Sequence, residues 1–250
     1  MGSSPEELTA EEQTAILAKR YSLMAEGYDA FWSPVIRPIS ERLLGQLPLA
    51  AAKDVIDVGT GTGALLPSIQ KAAPRATIVE VDNSEGMLRL ARRRHGGPLR
   101  LMDAQELALP DNQFDVAISA FVLFRLPSPE RCLSEVNRVL KRGGAIGTAT
   151  WAAQHVATAT KIWDEELEAA GARVLKLPAT NSVSRCDSVD KVAALLAQAG
   201  FASTRVWIES LEHQYRPDEH FLDQENSESL QRLRSLSSLD REVCLQRVRD

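Results

Sequence analysis

Apolar positions near the start of the chain fall on one helical face. Leu17, Tyr21, Met24 and Tyr28 recur at spacings of four, three and four. Thr9 precedes this run with Glu12 three residues later, the pattern of a capping box, so a helix is expected to begin there. Pro34 and Pro38 should break the helical pattern after residue 33. A second helix is expected over Ile39–Leu47, ending before Pro48.

From residue 52 the pattern changes to short β-branched runs separated by helical stretches. The predicted strands are Val55–Val58, Thr77–Val81, Leu99–Met102, Val116–Ala120 and Ala145–Trp151. Ser84 and the pair Ser128-Pro129 mark helix starts between them. Gly143-Gly144 is expected to close the helix that carries Leu133, Val136 and Leu140. Such alternation predicts an α/β fold: a doubly wound, mostly parallel, Rossmann-like sheet with helices on both faces. Ligands of such sheets bind beyond the carboxyl ends of the strands, where the strand order reverses.

Past Trp151, helices are expected over Thr160–Ala170 and Val189–Ala199, and a polar loop over Pro178–Asp187. A strand is expected over Phe201–Leu211, carrying Val206 and Ile208. From Pro217 onward Leu230, Leu233, Leu236 and Leu239 read as helix. Three parts result: a helical segment 1–48, an α/β core 49–151, and residues 152–250, which complete the sheet and add a helical cap.

The run Val55-Ile56-Asp57-Val58-Gly59-Thr60-Gly61-Thr62-Gly63 is a strand that ends in an acid and passes into three alternate glycines. Glycines at a strand-to-helix turn permit φ > 0 and let a ligand approach the main chain. On letters alone, Gly59-x-Gly61-x-x-Ala64 fits the relaxed dinucleotide fingerprint. Thr77–Asp82 is a second strand ending in an acid, as a ribose site requires. One reading is therefore an NAD(P)-dependent oxidoreductase. Asp57 weighs against it, because a carboxylate there repels phosphate and attracts an amine.

Three further landmarks come in order. Leu99–Asp103 is a third strand ending in an acid, and Leu109-Pro110-Asp111-Asn112-Gln113 is a polar turn before the fourth strand. Leu140-Lys141-Arg142-Gly143-Gly144 precedes the fifth. Across roughly residues 52–151 this series resembles the class I S-adenosylmethionine-dependent methyltransferases, and it is most similar to the small-molecule branch that includes quinone-biosynthesis enzymes. The resemblance implies S-adenosylmethionine as cofactor and methyl transfer to a small organic acceptor at oxygen, nitrogen or carbon. In-line positioning would supply most of the acceleration.

The resemblance also implies roles. Asp57, Gly59, Thr60, Gly61 and Gly63 would surround the methionine part of the cofactor, and Asp82 would accept from both ribose hydroxyls. Asn83 and Met87 would flank the adenine, while Asp103 and the Ala104 amide would bind its edge. Glu80 is set aside as facing away. Ser119, Ala120 and Phe121 would border the sulfonium, and Tyr21 and Tyr28 would belong to an N-terminal lid. Phe31, Trp32, Phe121, Arg125 and His213 are candidates to contact the acceptor; Arg125 reads either as an anchor for an acidic one or as one partner of a surface salt bridge. Relatives often carry two histidines after the fourth strand, where this chain has Phe124-Arg125. His155 is left as the candidate base. Relatives of this kind normally finish with an antiparallel strand, and no convincing one follows Pro217; that and the missing histidines also motivate a third reading, a non-catalytic module that keeps the cofactor.

Composition narrows the classes. A net charge of −5 and a pI of about 5.5 argue against a nucleic-acid binder. The cluster Arg89, Arg92, Arg93, Arg94 sits where a helix C-terminus favours cations. Cys132, Cys186 and Cys244 form neither a disulfide framework nor a zinc spacing, and no metal site is expected. No apolar run approaches the roughly 18 residues of a membrane span. The acidic N-terminus does not read as a signal peptide, so a cytoplasmic location is expected. The run Tyr28-x-x-Phe31-Trp32 favours an apolar or aromatic acceptor.

Overall fold

The computed structural model describes residues 8–94, 97–153, 158–172, 182–214, 216 and 228–249. Five strands form one parallel sheet in the order β3-β2-β1-β4-β5. They are β1 (Asp54–Val58), β2 (Thr77–Asp82), β3 (Leu99–Leu101), β4 (Phe114–Ala120) and β5 (Leu140–Ala149). The chain steps outward from β1 to β3, then returns to place β4 on the other side of β1. The order therefore reverses between β1 and β4, which sets the ligand crevice at their carboxyl ends.

The two-residue period divides the core between the sheet faces. Ile56, Val58, Val79, Val81 and Ala117 pack with Leu133 and Val136 of helix α4 (Pro129–Val139) and Leu195 of α6 (Val189–Gln198). Val55, Ile78, Val116 and Ile118 pack on the other face with Leu66 and Ile69 of α2 (Leu66–Ala72) and Leu44 of α1 (Ala10–Leu44). Each such side chain contributes about 1.5–3 kcal/mol by leaving water. Helix α3 (Glu85–Arg94) begins at Ser84, whose Oγ accepts from the Met87 amide at 3.2 Å. A satellite cluster joins Trp163 and Leu167 of α5 (Thr158–Ala169) to Leu233 of α7 (Glu228–Arg234), Leu236, and Cys244 of α8 (Ser238–Arg249). No described helix is long and apolar enough to cross a membrane.

Three expectations need correction. Pro34 and Pro38 do not break the N-terminal helix, and the second helix expected over Ile39–Leu47 is its continuation. The prolines are four residues apart and exposed, so the backbone bonds they remove face water. Phe31, Val35, Leu43 and Leu44 meanwhile anchor the other side.

Gly143-Gly144 does not stop a helix. Helix α4 already ends at Val139, and the glycines lie within β5 at a register shift, with Gly143 at φ +80°. Gly144 is packed so closely that a Cβ would stand 2.9 Å from the Lys141 carbonyl oxygen.

Phe201–Leu211 is not a strand. Among the described residues its β-branched positions join no ladder, and strand propensity without a partner does not make a strand.

Arg92, Arg93 and Arg94 lie in the last turn of α3, as expected, and two of them also reach α1. Arg93 and Arg94 pair with Glu26 and Asp29 of α1.

Candidate active site

Beyond β1 the chain turns through Gly59, Gly61 and Gly63, all with φ between +59° and +75°. The Gly59 and Thr60 amides donate to the Val81 carbonyl at 2.8 and 3.0 Å, which fastens the turn to β2. Val122 from the turn after β4 lies so near that a Cβ on Gly59 would stand 2.4 Å from its Cγ2. Gly61 has nothing within 4 Å on that side and leaves the main chain open.

Asp57, Glu80 and Asp82 share one face of the sheet, since Asp57 is in register with Glu80, and Asp82 lies two residues on. Glu80 is thus not turned away, contrary to expectation. It is buried and accepts from Thr60 Oγ1 at 2.9 Å. Burial raises Asp57 to about 7, and the neighbouring Glu80 and Asp82 charges add to the rise against a Thr60 hydrogen bond. Burial likewise raises Asp82 to about 6, opposed by amide donors from Ser84, Gly61 and Asn83. The Gly61 and Ser84 amides each reach Asp82 at 2.8 Å. Asp103 at the end of β3 accepts from the Gln105 amide at 2.9 Å, and Ala104 beside it is buried.

Helix α1 crosses all three strand ends. Thr14 Oγ1 accepts from Gln105 at 3.2 Å, and Ser22 Oγ lies 2.9 Å from Ser84 Oγ. Thr62 donates to Asp29 at 2.7 Å and lies 3.2 Å from Ser33 Oγ, and Arg94 closes the group against Asp29. Tyr21 and Tyr28 meet edge to face at 5.8 Å over the buried Met87. Burial, with the nearby Tyr21 and Asp82, pushes the Tyr28 hydroxyl up despite Arg125 close by.

A second aromatic group runs from Phe31 to Trp32 (5.2 Å), Trp151 (6.0 Å) and Phe121 (4.8 Å). Phe121 is held at φ +60°, a conformation rare for a bulky side chain and found where a turn is over-determined. Ser119 Oγ is buried without a hydrogen-bond partner.

The structure thus brings together Tyr21, Tyr28, Asp57, Thr60, the three glycines, Asp82, Asn83 and Met87 around the first two strand ends, with Asp103 and Ala104 at the third. Phe31, Trp32, Phe121 and Arg125 gather at the fourth and fifth. Sequence reasoning missed Asp29, Thr62 and Arg94, because their link joins segments some 30 residues apart with no local pattern. It also missed Trp151 as the ring that bridges Trp32 and Phe121.

Beneath α1, residues including Tyr28, Ser33, Asp57, Gly59 and Thr62 enclose about 50 Å³. This is below the roughly 300 Å³ of a typical small-molecule site. A larger cavity of about 410 Å³ runs along β5 past Leu43, Ile146, Val206 and Ile208, and reaches Phe121 and Trp151. His213 is exposed and lines neither cavity. His155 lies outside the described residues. The donor and acceptor set fits an amino-acid-bearing nucleoside. Asp57 and Asp82 are buried carboxylates on one face, Gly61 offers open main chain, and a further acid stands at the third strand end.

The family described as a methyltransferase domain matches residues 56–148. A malonyl-[acyl-carrier protein] O-methyltransferase of Geobacter sulfurreducens is 32% identical over 203 residues, 78% of this chain and 72% of that protein. A demethylmenaquinone methyltransferase of Clavibacter sepedonicus is 29% identical over 206 residues, 77% of this chain and 80% of that protein. A SAM-dependent methyltransferase of Thermotoga maritima shares the fold, with a TM-score of 0.53 at 24% identity, over 73% of this chain and 80% of that one. Nothing in these matches supports the oxidoreductase reading. The chain belongs to the S-adenosylmethionine-dependent methyltransferases, and S-adenosylmethionine is its cofactor.

Proposed function

We propose that the methyl acceptor is a small organic molecule with an apolar or ring-containing body, methylated in the cytoplasm. The observation that carries this is the aromatic group Phe31, Trp32, Trp151 and Phe121 beside the glycine turn. Such a wall suits a flat or apolar acceptor and excludes water. The relatives are named for demethylmenaquinone and for a malonyl-[acyl-carrier protein]. Three buried free cysteines suit a reducing compartment.

When bound, S-adenosylmethionine would supply an electrophilic sulfonium methyl group. Asp57 holds the ammonium, and its ionised form is favoured by that partner. Asp82 accepts from the ribose hydroxyls while Gly61 and Ser84 fix its orientation. Asp103 and the Ala104 amide bind the adenine edge, flanked by Asn83 and Met87, and Ser119 Oγ offers a free donor near the reacting end. Residues 1–48 act as the lid that orders Tyr21 and Tyr28, residues 49–151 bind the cofactor, and residues 152–250 complete the acceptor side. Positioning supplies the acceleration.

The test is incubation with methyl-labelled S-adenosylmethionine and a panel of phenols, quinols, amines and carboxylates, with bulk protein and RNA as comparators. Label should enter small ring-bearing compounds, and Asp57→Ala or deletion of residues 1–33 should abolish it. Label confined to protein or RNA would overturn the reading.

A further inference from the structure

We propose that Arg125 seats a carboxylate of the acceptor, so that the enzyme selects acids with an aromatic or apolar body. The inference rests on the small-acceptor reading above and specifies its charge. Arg125 ends the short turn Leu123–Arg125 that follows Phe121 at the carboxyl end of β4. Its Cζ lies 4.7 Å from the centroid of the Phe124 ring and 6.0 Å from that of Tyr21, so the two rings hold the guanidinium. Its Nε is buried and makes no hydrogen bond.

The contrast with its neighbours is the point. Arg94 is paired with Asp29 and Arg93 with Glu26, both on α1. Arg138, at the far end of α4, is paired with Glu135 and Asp111. Among the described residues the Arg125 side chain has no ion-pair partner. The ionisable groups facing it are the Tyr21 ring and the Tyr28 hydroxyl. Asp82, which lies near Tyr28, is already engaged by the Gly61 and Ser84 amides.

Ring contacts are worth about 0.5–2 kcal/mol to a cation and leave its N–H donors unused. A partly buried guanidinium with an idle donor costs desolvation that nothing in the fold returns. A planar fork of donors matches a carboxylate, which can take two parallel bonds from it. Phe124 is itself buried in the core, so of the two rings Tyr21 would pack on the body of the same ligand. An acid of this kind is already anionic at neutral pH. Its binding is neutralised by Arg125 and asks for no proton transfer.

The test uses the whole chain saturated with S-adenosylhomocysteine, whose binding is first measured by calorimetry. The complex is titrated with benzoate, phenylacetate and 4-phenylbutyrate and with the matching amides, read by tryptophan fluorescence. Carboxylates should bind roughly 10- to 100-fold more tightly than their amides, the span of a hydrogen bond to a charged group. Arg125→Leu should erase that preference while leaving S-adenosylhomocysteine affinity within about twofold, and Arg125→Lys should restore part of it. Equal binding of acids and amides, no binding of any acid, or an unchanged preference in Arg125→Leu would overturn the proposal. Neutral phenols methylated in preference to acids would overturn it too, while the small-acceptor reading stands. Label found only in protein would instead overturn that reading, and the acid–amide comparison would still decide the role of Arg125.

Discussion

The Gly86 amide donates to Ser22 Oγ at 3.2 Å, and a Cβ on Gly86 would stand 2.3 Å from the Ser22 carbonyl oxygen. Two helices from opposite ends of the cofactor-binding half are thus in backbone contact, at a point where only glycine fits. Ser22 Oγ also meets Ser84 Oγ, so one serine joins α1 both to the N-cap and to the first turn of α3.

Gly86→Ala should therefore displace α1 from α3 without unfolding the sheet. The expected outcome is faster proteolysis within residues 8–33 and weaker S-adenosylhomocysteine binding, with the circular dichroism of the core retained. Wild-type protease resistance in the variant would show that the close approach does not hold α1 in place.

Asp82→Asn keeps the shape but removes the charge and one acceptor. Cofactor binding should weaken by about 1.5–3 kcal/mol, the range for hydrogen bonds to a charged group. Calorimetric titration with S-adenosylhomocysteine checks it, and a loss under threefold would remove Asp82 from the ribose site.

Asp57 and Asp82 stand at about 7 and about 6 in the ligand-free protein, above their ordinary value of 3.8. The folded state therefore binds more protons than the unfolded state between about pH 4 and pH 7. By linkage these two groups make the ligand-free protein less stable as pH rises through that window. A cationic ligand favours the ionised forms, so its affinity should fall as pH drops below 7, by up to about tenfold per unit for each proton taken up. Asp57→Asn should flatten both trends. Thermal unfolding and S-adenosylhomocysteine titration at pH 5.5, 6.5 and 7.5 measure them, and equal slopes in variant and wild type would contradict the assignment.

Gly59→Ala combines a φ of +75° with a 2.4 Å approach to Val122 Cγ2. It should cost roughly 1–3 kcal/mol or more of stability. Adding Val122→Ala should restore the part due to crowding and leave the part due to the backbone. Chemical denaturation of the single and double variants separates the two, and no rescue would mean that the turn is set by φ alone.

Much of this was legible in the sequence for definite reasons. Strands β1, β2 and β4 are largely buried on both faces, so they read as short runs rich in β-branched and apolar residues. Each of β1 and β2 ends in an acid at or near the point where the backbone leaves the sheet. The glycine turn was visible because its positive φ values exclude other residues. Other features depend on three-dimensional neighbours. Glu80 was misjudged although the strand period alone places it with Asp82, and its bond to Thr60 needs the turn folded back over β2. The segment from Phe201 has the letters of a strand, but strand formation is decided by an adjacent ladder. The continuity of α1 depended on which way Pro34 and Pro38 face, and local letters do not carry that.

Those two prolines have a mechanical consequence. Ahead of them, Thr14, Ser22, Asp29 and Ser33 grip the loops at the strand ends; behind them, Leu43 and Leu44 are buried. Leu43 and Leu47 press on Gly147 of β5. Each proline deletes one rung of the helix between the half that grips the loops and the half buried against the sheet. The helix is thus built like a door leaf and its post, with the joint at the rim of the pocket that Ser33, Ile36 and Arg37 line. Cofactor exchange would then keep time with that joint, and stiffening it with Pro34→Ala and Pro38→Ala would lengthen residence without touching a single ligand contact.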